Sequence, residues 1–396
     1  MSQPASEPAR CSMADARARI LADIVPITTI ETVPVMQALG RVLAESVPSA
    51  VPIPPFDAAA MDGFALAHAS LAPAGESIVV PIGQALAGHP FAGVVTTGPC
   101  VRIAPGAPLP AGADTVVMMG ATRTTEQGVV IAAGQRPGQH CRLRGEVLAA
   151  GAPALAPGRR LGPVEIGLAA SLGVTALRVR RRPCVAVLST GDELGAPTEV
   201  GGIQDSNRPA LILAITHMGG EVIDLGVIPD RRDRLEQALY TVAGQVDAIV
   251  SSGGASVGEA DHVRAVLDRL GRVRFWQVAL KPGKPLAFGQ GGDAVFFALP
   301  GKRLSGLDSC VDGPAWLLPC TAKLDKQIGR TEFVPGRLLE REDTWWVQPM
   351  ARDVASLVTL AGADCLIELD PSRGEVMPGE HVAVRRYPEL GPGLQG

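Results

Sequence analysis

The sequence holds few aromatic side chains: Phe, Trp and Tyr make up 4% of its 396 residues. That leaves little with which to stack single-stranded bases. Lys and Arg (36) do not outnumber Asp and Glu (40), and no basic stripe stands out. Nucleic acid is therefore not an expected partner. No apolar run reaches the ~18 residues of a membrane-spanning helix. Residues 1–10 lack the apolar centre of a secretion signal, and residues 1–11 read as a polar, disordered tail. Seven cysteines are scattered without a Cys-x-x-Cys spacing, which argues against a disulfide framework and against a zinc site. A reducing, cytoplasmic compartment is expected. His262 has no second His or Cys at ligand spacing and reads as helix surface. Cys184, Cys310 and Cys320 fall in apolar segments and read as core.

What the chain has is length, apolar content and turns. Hydrophobic residues make up 46%, with 46 Gly and 34 Pro. A chain this long suggests two to four domains. Between residues 12 and 45 two helical patterns are expected, the second carried by Val35, Met36, Leu39 and Val42. The Val51-Pro52-Ile53-Pro54-Pro55-Phe56 stretch must be extended. Segments 77–82, 100–103, 114–118 and 128–131 read as short strands of a small, irregular β domain over 51–140. Segments 12–50 and 141–181, the latter with a helix at 163–172 and a strand at 176–179, form an N-terminal and linker part.

From Pro183 the pattern alternates. Strands at 184–188, 222–228, 247–250 and 294–299 interleave with helices at 208–218, at 233–243 and from Glu259. This predicts a doubly wound, mostly parallel sheet over 182–327, within a multidomain α/β plus β chain. A helical segment is expected over 305–318. Residues 328–390 return to β patterning, with Trp345-Trp346-Val347 and His381-Val382-Ala383-Val384 as strands.

The most informative string is Lys281-Pro282-Gly283-Lys284-Pro285. Pro and Gly at the two central positions are the signature of a type II turn. Two lysines ~4 Å apart repel by about 4 kcal/mol at an effective dielectric of ~20. Either they splay into solvent, or something negative sits between them. Three further loops follow strands and are rich in Gly, Ser and Thr: Ser189-Thr190-Gly191-Asp192-Glu193, Ser251-Ser252-Gly253-Gly254 and Pro300-Gly301-Lys302. Ligands of open α/β sheets bind beyond the carboxyl ends of the strands, where free N–H groups favour anions. A phosphate or oxyanion pocket is expected there. Plainer readings stand beside it. Asp205-Ser206-Asn207-Arg208 also fits a helix N-cap. Glu259 and Asp261 also fit dipole-stabilising acids, and Met61-Asp62-Gly63 an ordinary turn.

In order along the chain the motifs are Pro54-Pro55-Phe56-Asp57, Ala60-Met61-Asp62-Gly63-Phe64-Ala65, Gly106-Ala107-Pro108-Leu109-Pro110, Gly112-Ala113-Asp114 and Arg144-Gly145-Glu146. Then come Ser189-Thr190-Gly191-Asp192-Glu193-Leu194, Asp205-Ser206-Asn207-Arg208-Pro209, Ser251-Ser252-Gly253-Gly254, Ser256-Val257-Gly258-Glu259-Ala260-Asp261, the lysine turn and Leu299-Pro300-Gly301. With these the chain resembles the MoeA/gephyrin-E type molybdopterin molybdenumtransferases over nearly its full length. The resemblance implies a MogA-like molybdopterin-binding α/β domain, an elongated N-terminal part and a C-terminal β-barrel-like domain. It implies the last step of molybdenum cofactor assembly. Adenylylated molybdopterin and molybdate bind, the phosphoanhydride is hydrolysed, AMP leaves and the metal enters the dithiolene. It also implies a homodimer, Mg²⁺, and passing contact with molybdopterin adenylyltransferase or apo-molybdoenzymes. The implied catalytic residues are Asp62, Asp192, Glu193, Asp205, Asp261, Lys281 and Lys284, with Asp62 supplied by the partner subunit. Asp192, Glu193, Asp205 and Asp261 would hold Mg²⁺. Ser189, Thr190, Gly191, Ser251, Gly253, Gly254, Ser256, Pro300, Gly301, Lys302 and Ser305 would line the pterin and phosphate site.

The chain departs from that pattern at several points. Pro105 replaces a Thr, Val147 an Asp, Gly120 an acid, and Lys302-Arg303 follow Pro300-Gly301 where the family has Asn-Pro. Fewer acids and more cations imply weaker Mg²⁺ binding and stronger anion binding. A second reading is therefore a paralogue that holds molybdopterin or the finished cofactor without turning it over, or carries it to a molybdoenzyme.

Overall fold

A computed structural model describes residues 11–194, 201–242, 244–254, 266, 269, 271–281, 285–291, 293–299, 315–350 and 357–387. The chain divides into two compact units, Thr28–Arg181 and Met1–Ile27 with Arg182–Gly396.

The first unit carries a six-stranded sheet in the order Thr115–Met118, Gly63–Leu66, Pro99–Ile103, Glu76–Ala85, Gly128–Ala132, Thr122–Thr125. The four strands read at 77–131 are all present. Met61 and Asp62 form a bend, as the plainer reading of Met61-Asp62-Gly63 expects, and it leads into Gly63–Leu66, a central strand whose residues are all buried between two neighbours. A separate core gathers Ala38, Leu43, Leu155, Leu161, Ile166 and Val179. Its helix, Pro163–Ser171, starts with Pro and a Glu165 carboxylate that accepts the Gly162 N–H at 2.9 Å. The helix expected around Val35 to Val42 is only a 3-10 turn, Val35–Gln37. Gly40 turns the chain at φ 75°, and Val42 and Leu43 then bridge to Arg160 and Val179. Helical spacing of apolar residues cannot outweigh that break: Met36 and Leu39 stay exposed.

In the second unit, Glu221–Ile228, Cys184–Thr190, Ala248–Ser252 and Ala294–Leu299 are parallel neighbours in that order. Pro285–Gly291 and Gly271–Gln277 extend the sheet in antiparallel fashion. Period-two alternation sends Val185 and Val187 to one face, against Leu211 of the helix Asn207–His217. Ala186 and Leu188 go to the other face, against Leu235, Leu239 and Val242 of the helix Arg232–Val242. Helices on both faces make this the doubly wound sheet that the alternation predicts.

The C-terminal sheet runs Leu280–Lys281, Thr331–Arg341, Cys365–Leu369, His381–Arg386, Trp316–Pro319, with Thr344–Pro349 also on Thr331–Arg341. Thr321 donates to the Val347 carbonyl at 2.9 Å, so the last strand turns back toward Thr344–Pro349, and the sheet curls like a barrel. Trp316 to Leu318, expected at the end of a helix, is strand instead, paired with Val382 to Val384. Cys11, expected in a disordered tail, is buried and bridges to Val278. The helix Met13–Asp23, capped by Ser12, packs Ala16 beside Val278 and Phe288.

Candidate functional site

The strand Cys184–Thr190 is first in the chain and lies between Glu221–Ile228 and Ala248–Ser252. The order of connection reverses there, on the side of Ala248–Ser252. At such a switch point the two outgoing loops part to opposite faces and leave a crevice at the carboxyl ends. The register places Ser189 beside Ser252 and Leu188 beside Ser251, with Ser252 beside Leu299. Ser189, Thr190, Ser251, Gly253 and Gly254 therefore share one edge.

The turn after Ala248–Ser252 requires glycine. Gly253 has φ 94° and Gly254 φ 72°. A Cβ on Gly253 would lie 2.5 Å from the Thr190 carbonyl oxygen and 2.7 Å from its Oγ1, so only glycine lets the two loops touch. Gly253 donates its N–H to the Leu299 carbonyl at 3.0 Å. The Ser251 hydroxyl donates to the Gly253 carbonyl at 3.1 Å. Ser189 Oγ is fully buried and has no hydrogen-bond partner among the described residues. An unsatisfied buried hydroxyl is costly in a finished core, and this one stands at the switch point.

One residue that the sequence reading left out of the site completes this edge. Asn207, 8% exposed, donates from Nδ2 to Ser252 Oγ at 2.8 Å. It ties the start of its helix to the glycine turn. Its place inside Asp205-Ser206-Asn207 was the available signal. Asp205 meets the plainer expectation of a cap. Its Oδ1 accepts the Arg208 N–H at 3.2 Å and its Oδ2 accepts Arg208 Nε at 3.0 Å. Arg208 also pairs with Asp224. Asp224 feels burial pushing its carboxyl up, but the Gly226 N–H and Arg208 hold it below the usual range.

Asp192 and Glu193 are exposed in the next loop, where Asp192 Oδ1 accepts the Asp230 N–H at 3.0 Å. That bond joins the loops following two adjacent strands. Gly191 has φ 147° and a Cβ there would meet the Glu193 carboxylate at 2.5 Å. Lys281 is not in the α/β sheet: it pairs with Glu332 in the C-terminal sheet, and its Nζ lies 3.3 Å from Glu332 Oε2. Asp62 belongs to the first unit, exposed at the entry to Gly63–Leu66, with its carbonyl accepting the Met119 N–H at 3.1 Å. Lys284, Ser256, Asp261, Pro300, Gly301, Lys302 and Ser305 lie outside the described residues. So do Pro282 and Gly283 of the lysine turn, Arg303, Glu259, His262, Cys310 and residues 1–10.

Among the described residues no group of three His, Cys, Asp or Glu side chains could hold a metal ion. Both oxygens of Asp205 serve Arg208, and Asp192 serves a backbone N–H. These carboxylates do not by themselves fit Mg²⁺. Away from this edge, burial pushes the Cys100 thiol up to about 11, and Cys320 is core. No helix among the described residues is long and apolar enough to cross a membrane.

Three family models match in order: the MoeA N-terminal region (domain I and II) over residues 11–173, the probable molybdopterin binding domain over 186–310, and the MoeA C-terminal region (domain IV) over 318–386. The chain is 34% identical to a molybdopterin molybdenumtransferase of Haemophilus influenzae over 95% of its own length and 98% of the relative's. A protein of the same name from Synechococcus elongatus is 32% identical, over 85% and 90%. A crystal structure of the molybdopterin biosynthesis MoeA protein of Pyrococcus horikoshii matches with TM-score 0.76 and 27% identity, covering 96% of this chain and 99% of that one. Another crystal structure of a molybdopterin biosynthesis MoeA protein from Pyrococcus horikoshii, 24% identical with TM-score 0.79, supports the fold. With matches spanning both units and running almost end to end, the chain belongs to the MoeA family of molybdopterin molybdenumtransferases.

Proposed function

We propose that this protein inserts molybdenum into molybdopterin, with adenylylated molybdopterin and molybdate as substrates and AMP as a product. The observation that carries this reading is the switch-point edge. Buried hydroxyls of Ser189 and Ser251 meet a glycine turn that carries no side chain, so a phosphate can approach its backbone closely. In the reaction, water adds to the molybdopterin-side phosphorus of the anhydride, the bridging P–O bond breaks, AMP leaves with the bridging oxygen, molybdopterin keeps a phosphate with the water oxygen, and a proton is released. This chain's residues act by binding. Thr190 and the Gly253-Gly254 turn hold the phosphates, and Lys281 holds an oxyanion.

Asp62 joins this site from the partner subunit of a cytoplasmic homodimer, and Asp261, Lys284, Ser256 and the Pro300-Gly301-Lys302 loop complete it with Ser305. The domain division expected from the sequence belongs to the same proposal. The product passes to an apo-molybdoenzyme, and the substrate comes from molybdopterin adenylyltransferase.

The test is to supply adenylylated molybdopterin and molybdate, with and without Mg²⁺, and to follow AMP and cofactor transferred to an apo-molybdoenzyme. AMP release that depends on molybdate supports the reading. Tight pterin binding with neither AMP release nor metal insertion overturns it.

That last outcome is the expectation of the second reading, a binding protein or carrier. Val147 favours it: this apolar side chain is 62% exposed where the family pattern has an acid. Glu146 next to it accepts from Arg142 Nε at 2.6 Å and from the Leu143 N–H at 2.8 Å. The neighbouring acid is therefore committed within its own loop and does not replace the missing one.

A further inference from the structure

Lys281 lies at the end of Leu280–Lys281, a two-residue strand that leaves the α/β domain and pairs in parallel with Thr331–Arg341. Its backbone surroundings are fixed from two directions. Ala279 donates to the Cys11 carbonyl at 2.7 Å, and Thr331 donates to the Ala279 carbonyl at 3.1 Å. Opposite Lys281 in register stands Glu332. Its side chain is 6% exposed, while those of Lys281 and Arg330 are 49% and 35% exposed.

The two cations hold this carboxylate unequally. Arg330 Nε reaches Glu332 Oε1 at 2.7 Å. Lys281 Nζ reaches Oε2 at 3.3 Å. A buried carboxylate without a partner is strongly disfavoured. Arg330 alone supplies one, so Lys281 can move away and leave a compensated ion pair behind. The arrangement is a buried acid with a tight inner cation and a looser outer one. Burial pushes the Glu332 carboxyl up, but the Arg330 hydrogen bond and the Lys281 charge prevail and keep it ionised.

We infer that Glu332 is a positioning residue for Lys281: it parks the ammonium at the strand end and competes with the bound anion for it, so that Lys281 grips the ligand and still releases it. This rests on the reading of Lys281 as an anion-binding residue. The consequence is specific in sign. Removing the Glu332 charge leaves Lys281 without its internal counter-ion, and an external dianion gains what the carboxylate no longer takes. A residue that only stabilised the fold would weaken binding when replaced.

The experiment is a double-mutant cycle read by calorimetry, with AMP and, separately, molybdate as probes on the full chain. Lys281→Met is expected to weaken binding of at least one probe about tenfold or more, the loss of a charge-assisted hydrogen bond. Glu332→Gln is expected to tighten that same probe about fivefold, a discounted value because Lys281 is half in solvent. Glu332→Gln in the Lys281→Met background is expected to change nothing. Glu332→Asp keeps the charge and should stay near wild type, and it serves as the readout should the Gln variant fold poorly. An Asp variant that mimics Lys281→Met would overturn the inference. So would a Gln variant that weakens binding, or one that acts equally with and without Lys281. If Lys281→Met leaves both probes untouched, the assignment of Lys281 to the site has failed, and this inference falls with it. If Lys281→Met weakens binding and Glu332→Gln does not tighten it, only the inference fails.

Discussion

The two sheets of the second unit differ in what they bury. In the α/β sheet the buried polar groups at the edge are hydroxyls, Ser189, Ser251 and Ser252. In the C-terminal region they include ions, Lys326 in the loop before Thr331–Arg341 and Glu332 on that strand. Each ion has its partners. Lys326 donates to the Gln327 and Arg373 carbonyls at 3.1 and 2.9 Å, and burial pushes its ammonium down despite nearby acids. Strand direction explains the contrast. Four parallel strands end on the same edge and bring their loops together. Antiparallel strands send alternate loops to opposite ends. A hydroxyl can stay poorly satisfied while it waits for a ligand, at a modest cost. An unpartnered buried ion costs far more.

The sharpest break of this comparison uses glycine. Gly253→Val puts a branched side chain at φ 94° with its Cβ 2.5 Å from the Thr190 carbonyl, and stability should fall by more than ~3 kcal/mol. Gly374 in the C-terminal region has open space around it, and Gly374→Ala should change stability by less than ~0.5 kcal/mol. Urea unfolding compares the two; equal effects would remove the steric account of the turn. Next comes Asn207→Ala, which leaves Ser252 without its donor at 2.8 Å. A loss of about 2 kcal/mol is expected in the same measurement, together with weaker AMP binding.

On the other sheet, Glu332→Gln should cost about 1–2 kcal/mol at pH 7. The Glu332 carboxyl is held below its unfolded value. Its contribution is thus present above the unfolded pKa and is lost as pH falls through the folded one. Wild type and variant should converge in acid, and a gap that widens there would reverse the sign. The smallest effect is expected from Val147→Asp, at an exposed position, below ~0.5 kcal/mol. Its informative readout is AMP release, which should rise if the missing acid limits turnover.

Much of this contrast was legible in the sequence, and the illegible parts have physical reasons. Cys184, Ala248 and Ala294 open strands whose apolar runs announce burial on both faces. The glycines at 253 and 254 announce a turn that needs positive φ. Met36, Leu39 and Val42 misled because spacing records a possible face, and Gly40 prevents the helix from forming. Trp316 to Leu318 misled because a short apolar run does not declare its period. Lys281 and Glu332 could not be paired in advance, since 51 residues separate them and only sheet register brings them together. Asp205 carried two readings, and local hydrogen bonds to Arg208 favour the plainer one.

The helix Met13–Asp23 joins Val278, Leu280 and Phe288, and Met13 also reaches Phe333. The unit it belongs to is interrupted by the whole of Thr28–Arg181. On a ribosome adding about 5–20 residues per second, that helix emerges roughly 15–60 s before the surface it will cover. The inserted unit can reach its native state in that interval, while Met13 and Ile20 have nothing to cover them. Nascent chains of this protein should therefore depend on holding chaperones through the helix Met13–Asp23, and placing that segment after the C-terminal sheet by circular permutation should relieve the dependence.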